Sequence, residues 1–166
     1  ADQGLAKAQS NLGYMYRTGK GIPEDDAEAV KWYRLAADQG DARAQLNLGS
    51  MYADGVGVPE NDQEAARWYR LAADQGNASA QVNLGDRYRD GDGVPQDYAE
   101  ALRWYRLAAE QGYARAQYDL GYMYSTGEGV PQDYVQAHMW FNLVASRTSG
   151  EQRDSAVKNR DIVAGR

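Results

Sequence analysis

The chain has 166 residues, of which 43% are hydrophobic and 25% charged, a composition typical of a folded protein rather than a disordered one. Its formal net charge of −6 argues against the clustered basic surface that nucleic-acid binding requires, so we expect no nucleic acid among its partners. No apolar run is long enough to insert into a membrane, and the lack of cysteine excludes disulfides and thiolate metal sites.

A segment of 36 residues that begins at Ala8 returns at Ala44, Ala80 and Ala116 without insertion or deletion. A fixed period of this size predicts an array of units, each of which buries its apolar face by stacking on its neighbours. We assign residues 8–43, 44–79, 80–115 and 116–149 to four repeats within a single domain of residues 1–166. Residues 1–7 match the end of a preceding repeat, and residues 150–166 are expected to form a capping helix.

The second repeat shows how each copy begins. Ala44, Leu48 and Met51 recur at the spacing of one face of an α-helix. Gly49 interrupts this helix, where glycine costs about 1 kcal/mol relative to alanine, so we expect a neighbouring helix to lie too close for a side chain. The segment Gly55-Val56-Gly57-Val58-Pro59 then predicts a helix end and a turn.

A second helix follows in each repeat. In the second copy Asn61 and Glu64 form a capping-box pattern at its start, and Gly76 ends it. The cap pattern recurs in the other copies as Asp25/Glu28, Asp97/Glu100 and Asp133/Gln136. Each repeat is therefore predicted to be a helix hairpin whose Trp-Tyr or Trp-Phe pair packs in the core. Residues 150–164 predict one more helix, with Ala156, Val157, Arg160 and Val163 facing the stack.

The signature A-x-x-x-L-G-x-x-Y, then G-x-G-V/I-P, then A-x-x-W-Y-x-x-A-A-x-Q-G resembles the Sel1-like repeat family, a relative of the tetratricopeptide repeat. The match covers residues 1–147. The resemblance implies an all-α, right-handed α-α superhelix of helix-turn-helix repeats with a concave surface lined mainly by the first helix of each repeat. It also implies an adaptor that binds a protein or peptide. Some cysteine-rich relatives are linked to β-lactams, but this chain lacks their cysteines.

Differences between the copies indicate which surface is free for a partner, because residues fixed in every copy are explained by the stack. Three positions of the first helix lie opposite its core face and vary: Ser10, Tyr14 and Arg17; Leu46, Ser50 and Ala53; Val82, Asp86 and Arg89; and Tyr118, Tyr122 and Ser125. By analogy with tetratricopeptide units, these positions and the residue just before the helix point into the concave groove. Tyrosine and arginine often anchor interfaces, so we expect a peptide ligand that carries an acidic group or a free C-terminus.

A polar row at Asn11, Asn47, Asn83 and Asp119 lies at the edge of the same face. It has two interpretations that both stay open: the row grips the backbone or carboxylate of a peptide, or it bonds a neighbouring loop. The predicted groove residues are Asn11, Tyr14, Arg17, Arg43, Asn47, Asn83, Asp86, Arg89, Arg115, Tyr118 and Tyr122.

The sequence does not favour an enzyme. His138 is the one histidine, so neither a catalytic triad nor a histidine metal site is expected, and no cofactor is predicted. The G-x-G-V-P segment follows a helix instead of the strand that precedes a phosphate loop. Two alternatives to the adaptor remain: a structural module that assembles end to end, and an envelope protein that binds glycans. The compartment also stays open, with the cytoplasm, the bacterial periplasm and secretion all compatible.

Overall fold

The computed structural model describes residues 2–165, and within this range every regular element is an α-helix. The helices are α1 (Asp2–Thr18), α2 (Asp26–Asp38), α3 (Ala42–Asp54), α4 (Asp62–Asp74), α5 (Ala78–Asp90), α6 (Tyr98–Glu110), α7 (Ala114–Thr126), α8 (Tyr134–Arg147) and α9 (Gly150–Ala164).

The helices form four hairpins that stack in chain order. Each of α1, α3, α5 and α7 packs against the helix that follows it, and each of α2, α4 and α6 packs against the first helix of the next hairpin. Helix α9 packs on α8 and buries Ala156 and Val163, whereas Val157 and Arg160, also expected to face the stack, are only half-buried. The architecture confirms the predicted all-α repeat superhelix, and α9 has the bounds predicted for the last helix.

Within a hairpin, the recurring glycine accommodates an aromatic ring of the second helix. A Cβ added at Gly49 would lie 2.7 Å from Cδ1 of Tyr69, and one at Gly85 would lie 2.6 Å from Cε1 of Tyr105. No side chain fits at such distances without displacement of the ring. The expected close approach is confirmed, with a ring rather than the helix backbone as the neighbour.

Between hairpins, the tryptophans and a buried glutamine make the contacts. Trp68 of α4 packs into a cluster formed by α2 and α3, so it contacts the preceding hairpin. Tyr69, the next residue, packs against Gly49 within its own hairpin. The amide of Gln45 donates a hydrogen bond of 3.1 Å to the carbonyl of Ala37 at the end of α2. Gln81 and Gln117 make the same contact in the next two hairpins. These glutamines were not singled out from the sequence.

The caps of the second helices differ from the predicted capping box. Asn61 accepts a hydrogen bond from the backbone N–H of Glu64, as expected. The reciprocal bond does not form, because the N–H of Asn61 donates to the carbonyl of Tyr52 at 2.9 Å. Glu64 instead pairs with Arg67 at 3.2 Å. The cap residue thus also ties the two helices of the hairpin together.

The first residues also differ from the repeat-based expectation. Residues 2–7, matched to the end of a preceding repeat, continue α1 instead of forming a turn. In the next copy, the turn at Gly40 is closed by the N–H of Asp41, which donates to the carbonyl of Ala36 at 3.1 Å.

Candidate functional site

The first helices of the four hairpins, α1, α3, α5 and α7, form one continuous surface that we term the A-helix face. Tyr14 and Tyr122 stand out on it, with 43% and 45% of their surface exposed. Three depressions lie along the face, with volumes of about 390, 310 and 400 Å³ in chain order. We refer to them as the first, central and last depressions.

The first depression is lined by residues of the first two hairpins: Tyr14, Arg17, Thr18, Tyr33, Asn47, Ser50, Met51, Asp54 and Val56. The ammonium of Lys20 donates a hydrogen bond of 3.0 Å to the hydroxyl of Tyr14 and lies over its ring. Burial raises the pKa of Tyr33, so its hydroxyl stays protonated at neutral pH. The depression therefore presents hydroxyl and amide groups between the guanidinium of Arg17 and the carboxylate of Asp54.

Charged side chains around Asp86 form a network along the wall of the central depression. The hydroxyl of Tyr105 donates to Asp86 at 2.7 Å, and the guanidinium of Arg115 donates to its second oxygen at 2.5 Å. Arg89 lies 3.6 Å from the same carboxylate and also pairs with Asp90. The bond from Arg89 holds the pKa of Asp90 below its ordinary value. Asp86 is thus the centre of a network that connects α5, α6 and α7.

Asp119 lies at the edge of this network, in the position where the other copies have asparagine. Burial raises its pKa to about 6, and the nearby negative charge of Asp86 acts in the same direction. Arg115, 3.9 Å away, opposes the shift only in part. One oxygen of Asp119 is buried and accepts no hydrogen bond from residues 2–165. A carboxylate is therefore less well accommodated here than the amide of its counterparts.

Four arginines of the face pair with carboxylates, which weakens the expected affinity for an acidic ligand, whereas the partners of Arg43 are neutral. Arg17 lies 3.4 Å from Asp26, Arg87 bonds Asp62 at 2.6 Å, and Arg89 and Arg115 belong to the Asp86 network. Arg43 donates to Asn11 and contacts Ser10. Around the central depression the acids outnumber the bases: Asp54, Asp86, Asp90, Asp92 and Asp119 against Arg87, Arg89 and Arg115.

Aromatic and aliphatic side chains line most of the last depression, which is formed by Tyr118, Tyr122, Ser125, Tyr134, Phe141, Asn159, Ile162 and Val163. Tyr118 is half-buried, and its ring meets that of Phe141 edge-on with 5.4 Å between centroids. Its hydroxyl accepts a hydrogen bond of 2.6 Å from the amide of Asn159 in α9. The capping helix therefore forms one wall of this depression.

Two sequence-based placements are wrong. Ser10 and Val82, assigned to the open groove, are fully buried because the next first helix packs over that position, as the contact between Arg43 and Ser10 shows. Arg43 and Arg115 lie inside the first turns of α3 and α7, not before them.

Most of the predicted groove residues line one of the three depressions, but they do not form a single site. Tyr14, Arg17 and Asn47 line the first depression; Asn83, Asp86 and Arg115 the central one; and Tyr118 and Tyr122 the last. Asn11, Arg43 and Arg89 line none of the three.

The hydroxyls of the core tyrosines were missed from the sequence. The rings of Tyr69 and Tyr105 are buried, but their hydroxyls reach the A-helix face, where they bond Ser50 at 3.2 Å and Asp86. Burial raises the pKa of Tyr69, while bonds from Ser50 and Asn83 lower it. The asparagine row thus faces these hydroxyls. The presence of tyrosine instead of phenylalanine in three of the four copies was the available signal.

Other kinds of site receive no support from the described residues. Between residues 2 and 165, no three or more histidine, aspartate or glutamate side chains are grouped so as to hold a metal ion. In the same range, no helix is both long and apolar enough to cross a bilayer.

The family model of the Sel1 repeat matches the chain four times, at residues 6–41, 42–77, 78–113 and 114–148. Each match begins two residues before the repeat boundary inferred from the period. No curated protein matches the chain.

Among solved structures, a Sel1 repeat protein from Oxalobacter formigenes is 36% identical, with a TM-score of 0.85 over 96% of this chain and 73% of that one. A protective antigen of uropathogenic Escherichia coli is 37% identical, with a TM-score of 0.85 over 98% of this chain and 39% of that one. This chain thus spans well under half the length of the antigen. The cysteine-rich protein B of Helicobacter pylori, 23% identical over 80% of this chain and 95% of that one, shares the fold with a TM-score of 0.62.

Proposed function

Because the chain belongs to the Sel1 repeat family, whose members are generally protein–protein interaction modules, we propose that it binds a segment of a partner protein along its A-helix face. The proposal includes no catalytic step. The partner segment is extended or helical, and it lies across the first helices of successive hairpins.

One observation carries the proposal: a position of the A-helix face that exposes tyrosine in two repeats carries different side chains in the other two. Tyr14, Ser50, Asp86 and Tyr122 occupy the same position in the four repeats, yet they differ in size and polarity. By contrast, the glycine one residue before each of them is the same in every copy, because it packs against an aromatic ring. Divergence at this position, next to a glycine that all four copies share, fits a surface that makes different contacts with each part of a ligand.

The geometry fits a linear ligand better than a compact one. The three depressions follow one another along the face, and each lies where neighbouring hairpins meet. The two exposed tyrosines belong to the first and last of them. Tyrosine suits such anchors because its ring buries a large apolar area while its hydroxyl keeps a hydrogen-bonding group at the rim.

A peptide selection with matched variants tests the proposal. Peptides are selected from a random displayed library on the immobilised chain, and their affinities are measured by fluorescence polarisation. We expect Tyr14→Ala combined with Tyr122→Ala to weaken the selected peptides by about tenfold or more. The control combines Leu35→Ala and Leu71→Ala, comparably exposed apolar residues on the second helices. Equal loss in both variants, or loss only in the control, would contradict the proposal.

End-to-end self-association is a second candidate, and the first hairpin supplies its observation. Leu5 is exposed, and Trp32 is only half-buried, whereas its counterparts Trp68 and Trp104 are buried against the preceding hairpin. A second copy stacked on this face would cover both side chains. Sedimentation over a range of concentrations tests it: a mass that rises with concentration in the native chain but not in Leu5→Lys supports this candidate, and a constant monomer mass excludes it.

A further inference from the structure

Helix α9 takes the place of a fifth first helix. Ala156 and Val163 are buried seven residues apart, as Ala116 and Met123 are in α7. Asn159 follows Ala156 by three residues, the offset at which Asp119 follows Ala116, so Asn159 extends the polar row into α9. The last depression is therefore a repeat junction like the others, although one of its walls comes from a helix outside the 36-residue period.

This last junction differs from the others in chemistry. Its floor is Phe141, where the other hairpins have Tyr33, Tyr69 and Tyr105, so it lacks the hydroxyl that organises polar contacts elsewhere on the face. None of the described residues that line it is charged. Tyr122 and Ile162 leave 45% and 50% of their surface exposed at its rim. An apolar ligand group that covers the ring of Tyr122 and the side chain of Ile162 removes their apolar surface from water, while the hydroxyls of Tyr122, Ser125 and Tyr134 keep part of the same depression polar.

Three of the polar side chains of the last depression, Tyr118, Ser125 and Asn159, already bond each other or the backbone, and the hydroxyls of Tyr122 and Tyr134 remain for a ligand. Asn159 donates to the hydroxyl of Tyr118, and the hydroxyl of Ser125 donates to the carbonyl of Tyr122 at 2.8 Å. A sugar needs several convergent polar partners for its hydroxyls, because a buried hydroxyl left without one costs free energy. An apolar side chain has no such requirement, so the depression suits it better than a glycan.

The charges beside the last depression indicate which residue of a ligand would lie next to the bound apolar side chain. Towards the central depression the carboxylates outnumber the guanidiniums, and Asp119 directly follows the pocket residue Tyr118 in α7. Glu151 of α9 shares a surface depression with Tyr118 and Arg115, where one acid faces one base. A basic group of a ligand would therefore meet a net negative surface on the side of the central depression.

We propose that the last depression binds an aromatic or large aliphatic side chain of a partner segment that carries a basic residue next to it. This assignment rests on the proposed function and specifies its ligand. The apolar side chain packs against Phe141, Tyr122 and Ile162. The hydroxyls at the rim bond the ligand backbone, and the neighbouring basic residue lies toward the carboxylates of the central depression.

Short capped peptides test the assignment by NMR titration of the isotope-labelled chain. The probes are acetyl-Phe-Arg-amide, acetyl-Ser-Arg-amide, acetyl-Phe-Glu-amide and methyl glucoside. We expect acetyl-Phe-Arg-amide to shift the amide signals of Tyr122, Phe141 and Ile162 in a saturable manner. The serine and glutamate probes should bind about fivefold more weakly or worse, because each lacks one of the two recognised groups.

Two variants complete the test. Ile162→Asp, at an exposed position that tolerates a charge, should abolish the shifts, while Tyr14→Ala in the first depression should leave them unchanged. Equal binding of the serine and phenylalanine probes, binding of methyl glucoside alone, or no saturable shifts at these residues would overturn the assignment. If the library-selected peptides still respond to the Tyr14 and Tyr122 variants in that case, the proposed function stands and only this pocket assignment falls.

Discussion

The side-chain amide of Asn159 donates a hydrogen bond of 2.6 Å to the hydroxyl of Tyr118, and this bond fastens the last helix to the first helix of the fourth hairpin. Tyr118 also meets the ring of Phe141 edge-on. One contact therefore serves two purposes: it holds the cap on the stack, and it shapes the pocket at the end of the A-helix face.

Asn159→Ala should loosen α9 more than the rest of the chain. The substitution removes one hydrogen bond and leaves the half-buried hydroxyl of Tyr118 without its donor, at a cost of about 1 kcal/mol. Amide hydrogen exchange should therefore accelerate in α9 and change little in α3 to α6. Ser155→Ala, an exposed position of the same helix, is the control and should exchange like the native chain. Unchanged exchange in α9 of the Asn159 variant would show that the bond does not hold the cap.

Gly85→Ala should destabilise the whole stack. Its new methyl group would lie 2.6 Å from the buried ring of Tyr105, which is held by the Asp86 bond and has no free space to move into. We expect a loss of about 1–3 kcal/mol in the free energy of unfolding, measured by urea denaturation. Gly4→Ala is the matched helical control, since nothing lies within 4 Å of its added Cβ. A native-like stability of Gly85→Ala would contradict the packing described for the hairpins.

Asp119→Asn should stabilise the protein at neutral pH. The folded chain keeps Asp119 protonated up to a pKa of about 6, whereas the unfolded chain loses that proton near its ordinary value of 3.8. Between these values the folded state binds more protons, so the native chain loses stability as pH rises from about 4 to 6. Asparagine removes this loss.

The expected gain of Asp119→Asn is about 1–3 kcal/mol at pH 7.5, and it should shrink towards zero near pH 4. Urea denaturation at a series of pH values measures it. The groups that face Asp119 are Asp86, Arg89, Arg115 and Tyr105, so an Asp74→Asn variant, at an exposed position at the end of α4, serves as the control. A stability difference from the native chain that does not change with pH would contradict the assigned cause.

Much of the fold could be predicted because the repeat displays it four times. Gly49 and its counterparts, the caps such as Asn61, and the helix-ending glycines each recur in register, so local signals were reinforced by their repetition. The last helix was also predictable from its pattern. The equivalence of Asn159 in α9 and Asp119 in α7 could not be predicted from the repeat, because α9 lies outside the 36-residue period. It becomes visible only from the packing of α9 on the fourth hairpin.

The site was less predictable, for a physical reason. Angles around a single helix show which residues point away from its own hairpin, but they do not show what the next hairpin covers. Ser10 was therefore placed on the open face although α3 buries it. The sequence shows the positive charge of the arginines but not the carboxylates with which they pair. Arg115 and its partner Asp86, for example, are 29 residues apart.

Whether partner segments bind along the A-helix face can be measured by mapping a selected peptide on the isotope-labelled chain by NMR. Shifted amides should cluster in α1, α3, α5 and α7 and around Tyr14 and Tyr122, with α2, α4 and α6 little affected. Shifts confined to the exposed surfaces of α2, α4 and α6, around Leu35, Leu71 and Leu107, would contradict binding along this face.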